Sequence, residues 1–281
     1  MAISITVAQF KRTIRAYYKK NARAMPWRET RDPYRILVSE IMLQQTQVSR
    51  VLGFYKNFIK QFPDFRALAS ASTSDVLRAW QGLGYNRRAL ALQRLANEVI
   101  EKYDGRLPRD TENLIALPGI GPYTAGAVRA FAFDEPEIFI ETNIRRVFIY
   151  FFFPAGKKPN QKAGEKVMDA ALRRYLESTL DRKNPREWYF ALMDYGAMLG
   201  SMGAENPNRR SAHYARQSIF AGSDRELRGK IVRTLLLRKK ILSSALAREL
   251  RESRERVLNI VTRLNKEGFI MKKGEYITLA N

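Results

Sequence analysis

Two carboxylates in this 281-residue chain stand in settings where a glutamate can do chemistry. Glu40 lies in Ser39-Glu40-Ile41-Met42-Leu43-Gln44-Gln45-Thr46-Gln47. On a continuous helix Glu40, Gln44 and Gln47 share one face, at i, i+4 and i+7. Apolar neighbours desolvate such a carboxyl and raise its pKa, and a neutral glutamate near pH 7 can act as a general acid. The alternative is a glutamate on a solvated helix surface. Glu141 lies in Phe139-Ile140-Glu141-Thr142-Asn143-Ile144-Arg145-Arg146, after an apolar run and at the start of a helix. It is either a reacting carboxylate or a helix N-terminal acid favoured by the dipole.

Between them runs Leu117-Pro118-Gly119-Ile120-Gly121-Pro122-Tyr123-Thr124-Ala125. Gly119 and Gly121 permit a tight hairpin and leave backbone N–H groups uncovered. Pro122 fits the first turn of a following helix, whose N-terminus attracts anions. The result is a helix-hairpin-helix element that grips DNA backbone without reading sequence. A plain Gly-Pro connection between helices is the alternative. Charge favours the first reading: 50 Lys and Arg against 28 Asp and Glu leave +22, a surface that attracts polyanions. Nucleic acid is a better partner than anionic membrane. The longest apolar run, Val147–Phe153, is seven residues, far short of the roughly 20 that span a bilayer.

Composition narrows the chemistry further. The chain has no cysteine, which excludes disulfides, thiolate-held clusters and zinc sites, and cysteine nucleophiles. It has one histidine, His213, which excludes multi-histidine metal sites and argues against a Ser–His triad. With 45% hydrophobic residues it can build a sizeable core. The first ten residues lack the basic start of a secretory leader, so a cytoplasmic, nucleoid-associated location is expected.

The elements that must position these residues read almost entirely as helices. Apolar spacing predicts helices over Val38–Tyr55, Ser74–Trp80, Arg87–Tyr103, Thr111–Leu117, Tyr123–Phe133, Asn143–Phe153 and Lys162–Thr179. Glycines and prolines punctuate them. After a turn-like Asn206-Pro-Asn-Arg-Arg and the cap Gly222-Ser-Asp the layout changes. Helices over Glu226–Lys239, Ser243–Leu250 and Ser253–Lys266 are followed by two strands, Phe269-Ile-Met and Tyr276-Ile-Thr-Leu. That order is the order of a winged helix, either a DNA-binding module or a protein-interaction module. Val257, Ile260, Val261 and Leu264 face its core, while Arg254, Arg263 and Lys266 face outward, with Lys272 and Lys273 at the wing.

Taken together these segments resemble the helix-hairpin-helix DNA glycosylases of the endonuclease III superfamily, and most closely the MutY-type A/G-mismatch adenine glycosylases. The matching stretches are Pro26-Trp27-Arg28, Asp32-Pro33-Tyr34, Ser39–Val48, Trp80-Gln81-Gly82-Leu83-Gly84-Tyr85, Leu117–Thr124 and Met193-Asp194-Tyr195-Gly196-Ala197-Met198, in family order over roughly residues 20–200. The resemblance implies an all-α, two-lobed fold with a C-terminal winged helix. One lobe spans about 30–138, the second combines 1–29 with 139–222, and the winged helix takes 223–281. It implies a monomer acting on double-stranded DNA, with a mispaired or damaged nucleotide flipped into a cleft. Glu40 would protonate a purine ring nitrogen and Glu141 would stabilise the oxocarbenium-like sugar, with Asn143 holding the carboxylates. Tyr123 takes the position of the Schiff-base lysine of bifunctional members, so a monofunctional enzyme is expected. Gln44, Gln45, Tyr85, Asn86, Arg87, Gly119, Gly121 and Thr124 would meet DNA, as would Arg209, Arg210, Arg254 and Lys272. The carbonyls of Ile115, Leu117 and Ile120 would hold a monovalent cation, sodium or potassium.

Four departures bear on the function. The four-cysteine cluster is absent, with Gly200 at the first ligand position. Arg209, Arg210 and Arg216 either replace its charge or form a solvated basic turn. The expected aspartate is Glu141, longer by one methylene. The second tyrosine after Gly84 is Asn86, which removes an aromatic wedge. The winged helix is expected in the place of the hydrolase-like C-terminal domain that reads 8-oxoguanine. These departures limit what the resemblance transfers; the function it implies is removal of adenine opposite guanine or 8-oxoguanine. The alternatives are a uracil- or thymine-G mismatch glycosylase and a catalytically inactive DNA-binding regulator.

Overall fold

The structure is a computed structural model that describes residues 5–154, 166–202, 206–215 and 219–280. The helices in chain order are α1 (Val7–Asn21), α2 (Pro33–Leu43), α3 (Val48–Gln61), α4 (Phe65–Ser70), α5 (Thr73–Trp80), α6 (Arg87–Tyr103), α7 (Thr111–Ala116), α8 (Pro122–Ala132), α9 (Thr142–Phe152), α10 (Asp169–Thr179) and α11 (Pro185–Ser201). They are followed by α12 (Asp224–Arg238), β1 (Lys240–Leu242), α13 (Ser243–Leu250), α14 (Arg254–Lys266), β2 (Ile270–Lys273) and β3 (Tyr276–Leu279). The chain forms two compact units, one of Met1–Leu37, Arg109–Ile115 and Ile120–Arg216, the other of Val38–Pro108, Ala116–Gly119 and Gln217–Asn281.

The first unit is built around α9 and α11. Phe10 of α1 packs its ring 5.3 Å from Phe148 and 6.0 Å from Trp188. Side chains of this size bury about 2–3 kcal/mol of hydrophobic free energy each. Gly196 lets α11 approach α9 closely: a Cβ there would stand 2.7 Å from the Asn143 Cβ. Asp194, 2% exposed, accepts from the Arg23 side chain and backbone and takes both terminal nitrogens of Arg28, at 2.6 to 3.0 Å. This lock joins the Pro26-Trp27-Arg28 and Met193-Asp194 stretches and gives them a structural reason.

In the second unit α6 presents Ala89, Leu92, Leu95, Ala96 and Val99 to the core beside α4 and α5. Trp80 is fully buried, 5.6 Å from Phe58, and its indole N–H donates to the Gly84 carbonyl at 3.1 Å. The C-terminal part of this unit has a helix, a strand, two helices and a hairpin. Its three strands lie antiparallel in the order β1-β3-β2, with Ile241 opposite Ile277 and Lys272 opposite Ile277 on the other side. Val257, Ile260, Val261 and Leu264 fill its core.

Two expected helices change. The single helix over Val38–Tyr55 is broken: α2 ends at Leu43, Gln45 takes a left-handed φ of 52°, and α3 starts at Val48. Gln44 and Gln47 therefore leave the face of Glu40. The helix expected from Lys162 starts at Asp169, and residues 162–165 lie outside the described residues. β1, α1, α4 and α11 were not among the helices and strands read from spacing.

Candidate active site

Glu141 is the N-cap of α9. Its extended backbone (φ −116°, ψ 176°) turns the side chain over the first helical turn, where one oxygen accepts from the Ile144 N–H at 2.8 Å. The other accepts from the Asn143 amide at 3.3 Å. Asn143 in turn accepts from Arg146 at 2.9 Å, and Arg146 donates to the Gly196 carbonyl and to Asn206. Asn208 is buried and donates to the Thr142 carbonyl at 2.9 Å. Burial pushes the Glu141 carboxyl above the usual carboxylate range, against the pull of the Asn143 and Ile144 backbone and of Arg146 and Arg145. Sequence reading gave Asn143 the holding role but missed Arg146 and Asn208. The i, i+3 spacing of Asn143 and Arg146 carried that signal.

The same unit has an open cavity of about 380 Å³ lined by Tyr123, Ile138, Phe139, Ile140, Asp169 and Arg173 among others. Ligand pockets start at about 300 Å³. Tyr123 is half-buried, its ring 5.8 Å from Phe139 in an edge-on contact. Asp169 holds Arg145 through two 2.7 Å bonds.

Glu40 lies on α2 within an unbroken buried run from Ile36 to Met42 and is 4% exposed. The solvated-surface alternative for this residue is thereby set aside. The end of α2 is held by Arg88, another residue that sequence reading passed over. One of its terminal nitrogens donates to the carbonyls of Ile41, Met42 and Gln44 at 2.6 to 2.9 Å. The other reaches the Thr46 hydroxyl and the Gly84 carbonyl. Burial pulls its pKa down to about 10, which leaves it charged at neutral pH. The signal was its register: Arg88 continues the buried stripe Leu92, Leu95, Val99 of α6.

Arg88 thus pins two turns. On one, Gln45 is exposed and the Gln44 amide donates to the Gly119 carbonyl at 3.5 Å. On the other, Tyr85 takes a left-handed φ of 51° and precedes Asn86, the N-cap of α6. Arg87 is exposed and pairs with Glu267 at 3.5 Å. In the hairpin only Gly119 needs its glycine, at φ 83°, whereas Gly121 has φ −102° and caps α8.

Burial or a protein partner engages the side chains of two residues expected at DNA, Thr124 and Arg210. Thr124 is 2% exposed, so its side chain packs inward. Arg210 donates to the Phe153 carbonyl, whereas the Arg209 side chain is exposed and only its backbone carbonyl is engaged, by Lys166. The turn around Pro207–Arg210 is therefore a packed closure on α9 and not a solvated basic loop, and Arg216 lies outside the described residues. Arg254 and Lys272 are exposed, the former 3.6 Å from Glu275.

A thiolate-held cluster does not fit this chain. There is no cysteine in it, and a Cβ at Gly200 would stand 2.6 Å from a terminal nitrogen of Arg146. Among the described residues no group of acidic or histidine side chains could hold a metal ion, and no helix is long and apolar enough to cross a membrane.

Comparison with known proteins places this geometry. Residues 38–172 match the model of the HhH-GPD superfamily base excision DNA repair proteins. The chain is 34% identical over 242 residues to the adenine DNA glycosylase of Mycobacterium tuberculosis, which covers 78% of this chain and 76% of that protein. It is 35% identical over 235 residues to the adenine DNA glycosylase of Mycolicibacterium smegmatis, covering 78% of each. Among solved structures it is similar to a thermostable thymine-DNA glycosylase, with a TM-score of 0.61 and 28% identity over 74% of this chain and 96% of that one. Endonuclease III in a trapped covalent intermediate with DNA shares the fold, with a TM-score of 0.54 and 19% identity over 67% and 85% of the two chains. With relatives this similar over more than three quarters of their length, the chain belongs to the HhH-GPD superfamily of base excision DNA repair proteins, a family of DNA N-glycosylases, beside its adenine DNA glycosylases.

Proposed function

We propose that this protein is a monofunctional DNA glycosylase that removes adenine mispaired with guanine or 8-oxoguanine. The observation that carries the reading is Glu40, a buried carboxyl in the segment Ser39–Val48, in a chain 34% identical to an adenine DNA glycosylase. Neutral adenine is a poor leaving group. Glu40 donates a proton to a ring nitrogen of the flipped base, the bond from C1′ to the base breaks, and its electron pair stays with the base. The ionised Glu141 faces the positive charge left on the sugar, held in place by Ile144 and Asn143. Water adds to C1′ and gives up a proton, leaving an intact abasic site. The phenol of Tyr123 cannot form the imine that would cut the strand.

The hairpin at Gly119–Gly121 would bind backbone phosphate, and the carbonyls of Ile115, Leu117 and Ile120 would hold a sodium or potassium ion that takes no part in the chemistry. Residues 223–281 would form a winged helix with Arg254 and Lys272 toward DNA. Gln45 and Tyr85 would enter the duplex at the lesion. The protein would act as a monomer, without a cluster.

Alkaline cleavage of labelled duplexes tests the substrate. Release from A·G and A·8-oxoG but not from T·G or U·G is expected, and Glu40→Gln should abolish release while leaving DNA binding intact. Unchanged release from that variant would remove the assignment. A second reading, excision of thymine or uracil opposite guanine, draws support from the likeness to the thymine-DNA glycosylase and from Thr142 beside Glu141. Cleavage confined to T·G or U·G would establish it in place of the first.

A further inference from the structure

Within the second unit, the C-terminal segment reaches the turn that carries Tyr85. The Tyr85 hydroxyl accepts from a terminal nitrogen of Arg225 at 2.7 Å, and that guanidinium lies 5.6 Å from the ring centroid. Arg88 approaches the same ring at 5.3 Å. One residue on from Asn86, Arg87 meets Glu267, which Arg228 holds through two bonds of 2.9 and 2.6 Å. Arg225 lies off the apolar stripe of α12, formed by Leu227, Ile231 and Leu235, so the core of its own segment does not require it. One of its hydrogen bonds is to Tyr85, far away in the chain on a turn with a left-handed backbone, and its guanidinium also lies 6.0 Å from the Phe220 ring.

We propose that Arg225 is a specificity-determining residue: from the C-terminal segment it fixes the stance of Tyr85 and thereby sets how well the protein tells a mispaired base step from a paired one. The inference rests on the reading that Tyr85 enters the duplex at the lesion. An aromatic ring stacks on any base, so stacking by itself discriminates little. Discrimination comes from the lower cost of opening a mispaired step, and a wedge exploits that difference when its position is fixed in advance. A ring released from Arg225 must be ordered at each encounter, and backbone contacts then dominate binding to paired and mispaired DNA alike. The expected aromatic partner after Tyr85 is Asn86, which leaves this ring the only one of the pair.

The test measures binding without excision. The full-length protein is titrated by fluorescence anisotropy into duplexes holding 2′-fluoro-deoxyadenosine, which resists base loss, opposite guanine or opposite thymine. Wild type, Arg225→Ala, Tyr85→Phe and the double variant are compared at one salt concentration. Tyr85→Phe removes only the hydroxyl and leaves packing intact. Each single variant should lower the mispair-to-pair affinity ratio about tenfold, and the double variant should lower it no further, as for two residues sharing one interaction. Unchanged ratios in the single variants, or losses that add in the double variant, would overturn the proposal. So would a wild-type ratio in Arg225→Lys together with no effect of Tyr85→Phe, because charge alone would then explain Arg225. A wild type that releases no base from any duplex would defeat the proposed activity without altering this binding ratio.

Discussion

Glu141 is subject to two opposed demands. The Ile144 N–H, the Asn143 amide and the neighbouring arginines favour its charged form, yet burial outweighs them and raises its pKa. The folded protein then keeps a proton at pH values where the unfolded chain has lost it. Stability therefore falls as pH rises from the ordinary carboxylate value through the raised one. Glu141→Gln keeps an oxygen for Ile144 and removes the charge. It should melt at a higher temperature than wild type at pH 7 by calorimetry, while base release falls by about 100-fold or more. Wild-type release should fade on the acid side at a higher pH than an ordinary carboxylate would give, as Glu141 takes up its proton. Asp194 has the opposite sign. Burial alone would raise it, but Arg28 and Arg23 hold it below the usual range. Its stabilisation is present at neutral pH and lost as pH falls through that lowered value. Asp194→Asn should cost about 3 kcal/mol in urea unfolding, since it strands the buried guanidinium of Arg28.

At the scale of elements, Arg88 does what no helix propensity does: it ends α2 by gathering its last carbonyls. Arg88→Ala leaves those carbonyls buried without a donor, and should cost about 3 kcal/mol by denaturant midpoint. Its consequence for reading the sequence is direct. Apolar spacing continues from Val38 through Tyr55, so a single helix was the natural reading, and the break at Gln44–Gln47 depends on a side chain 44 residues beyond Gln44. α6 was read with its observed ends, because Gly84 before it and Asp104-Gly105 after it bound a strongly periodic stretch. α11 has apolar residues on every side, with Trp188, Tyr189, Phe190, Ala191 and Leu192 all buried in succession, and so has no face for spacing to detect. β1 is three residues long and follows directly on α12, too short for alternation to register. Glu40, Glu141 and Asn143 draw notice because they sit in contiguous motifs; Arg146 shares the motif of Glu141 but was passed over, and Asn208 and Arg225 meet partners distant in the chain.

At the scale of the whole molecule, a net charge of +22 makes binding to DNA a matter of counterion release. Affinity for paired duplex should fall by about 10³-fold between 50 and 200 mM salt in a filter-binding series, the loss typical of six or more phosphate contacts. Borohydride added during turnover should trap no covalent adduct, in keeping with Tyr123 in place of a lysine. At Gly200, where the resemblance would put the first ligand of a four-cysteine cluster, stands the guanidinium of Arg146. This chain ties the same corner shut with nitrogen and oxygen atoms alone. Its folding should proceed in cells starved of iron, and its activity should survive strong chelators, peroxide and nitric oxide at doses that strip iron and sulfide from thiolate-held clusters.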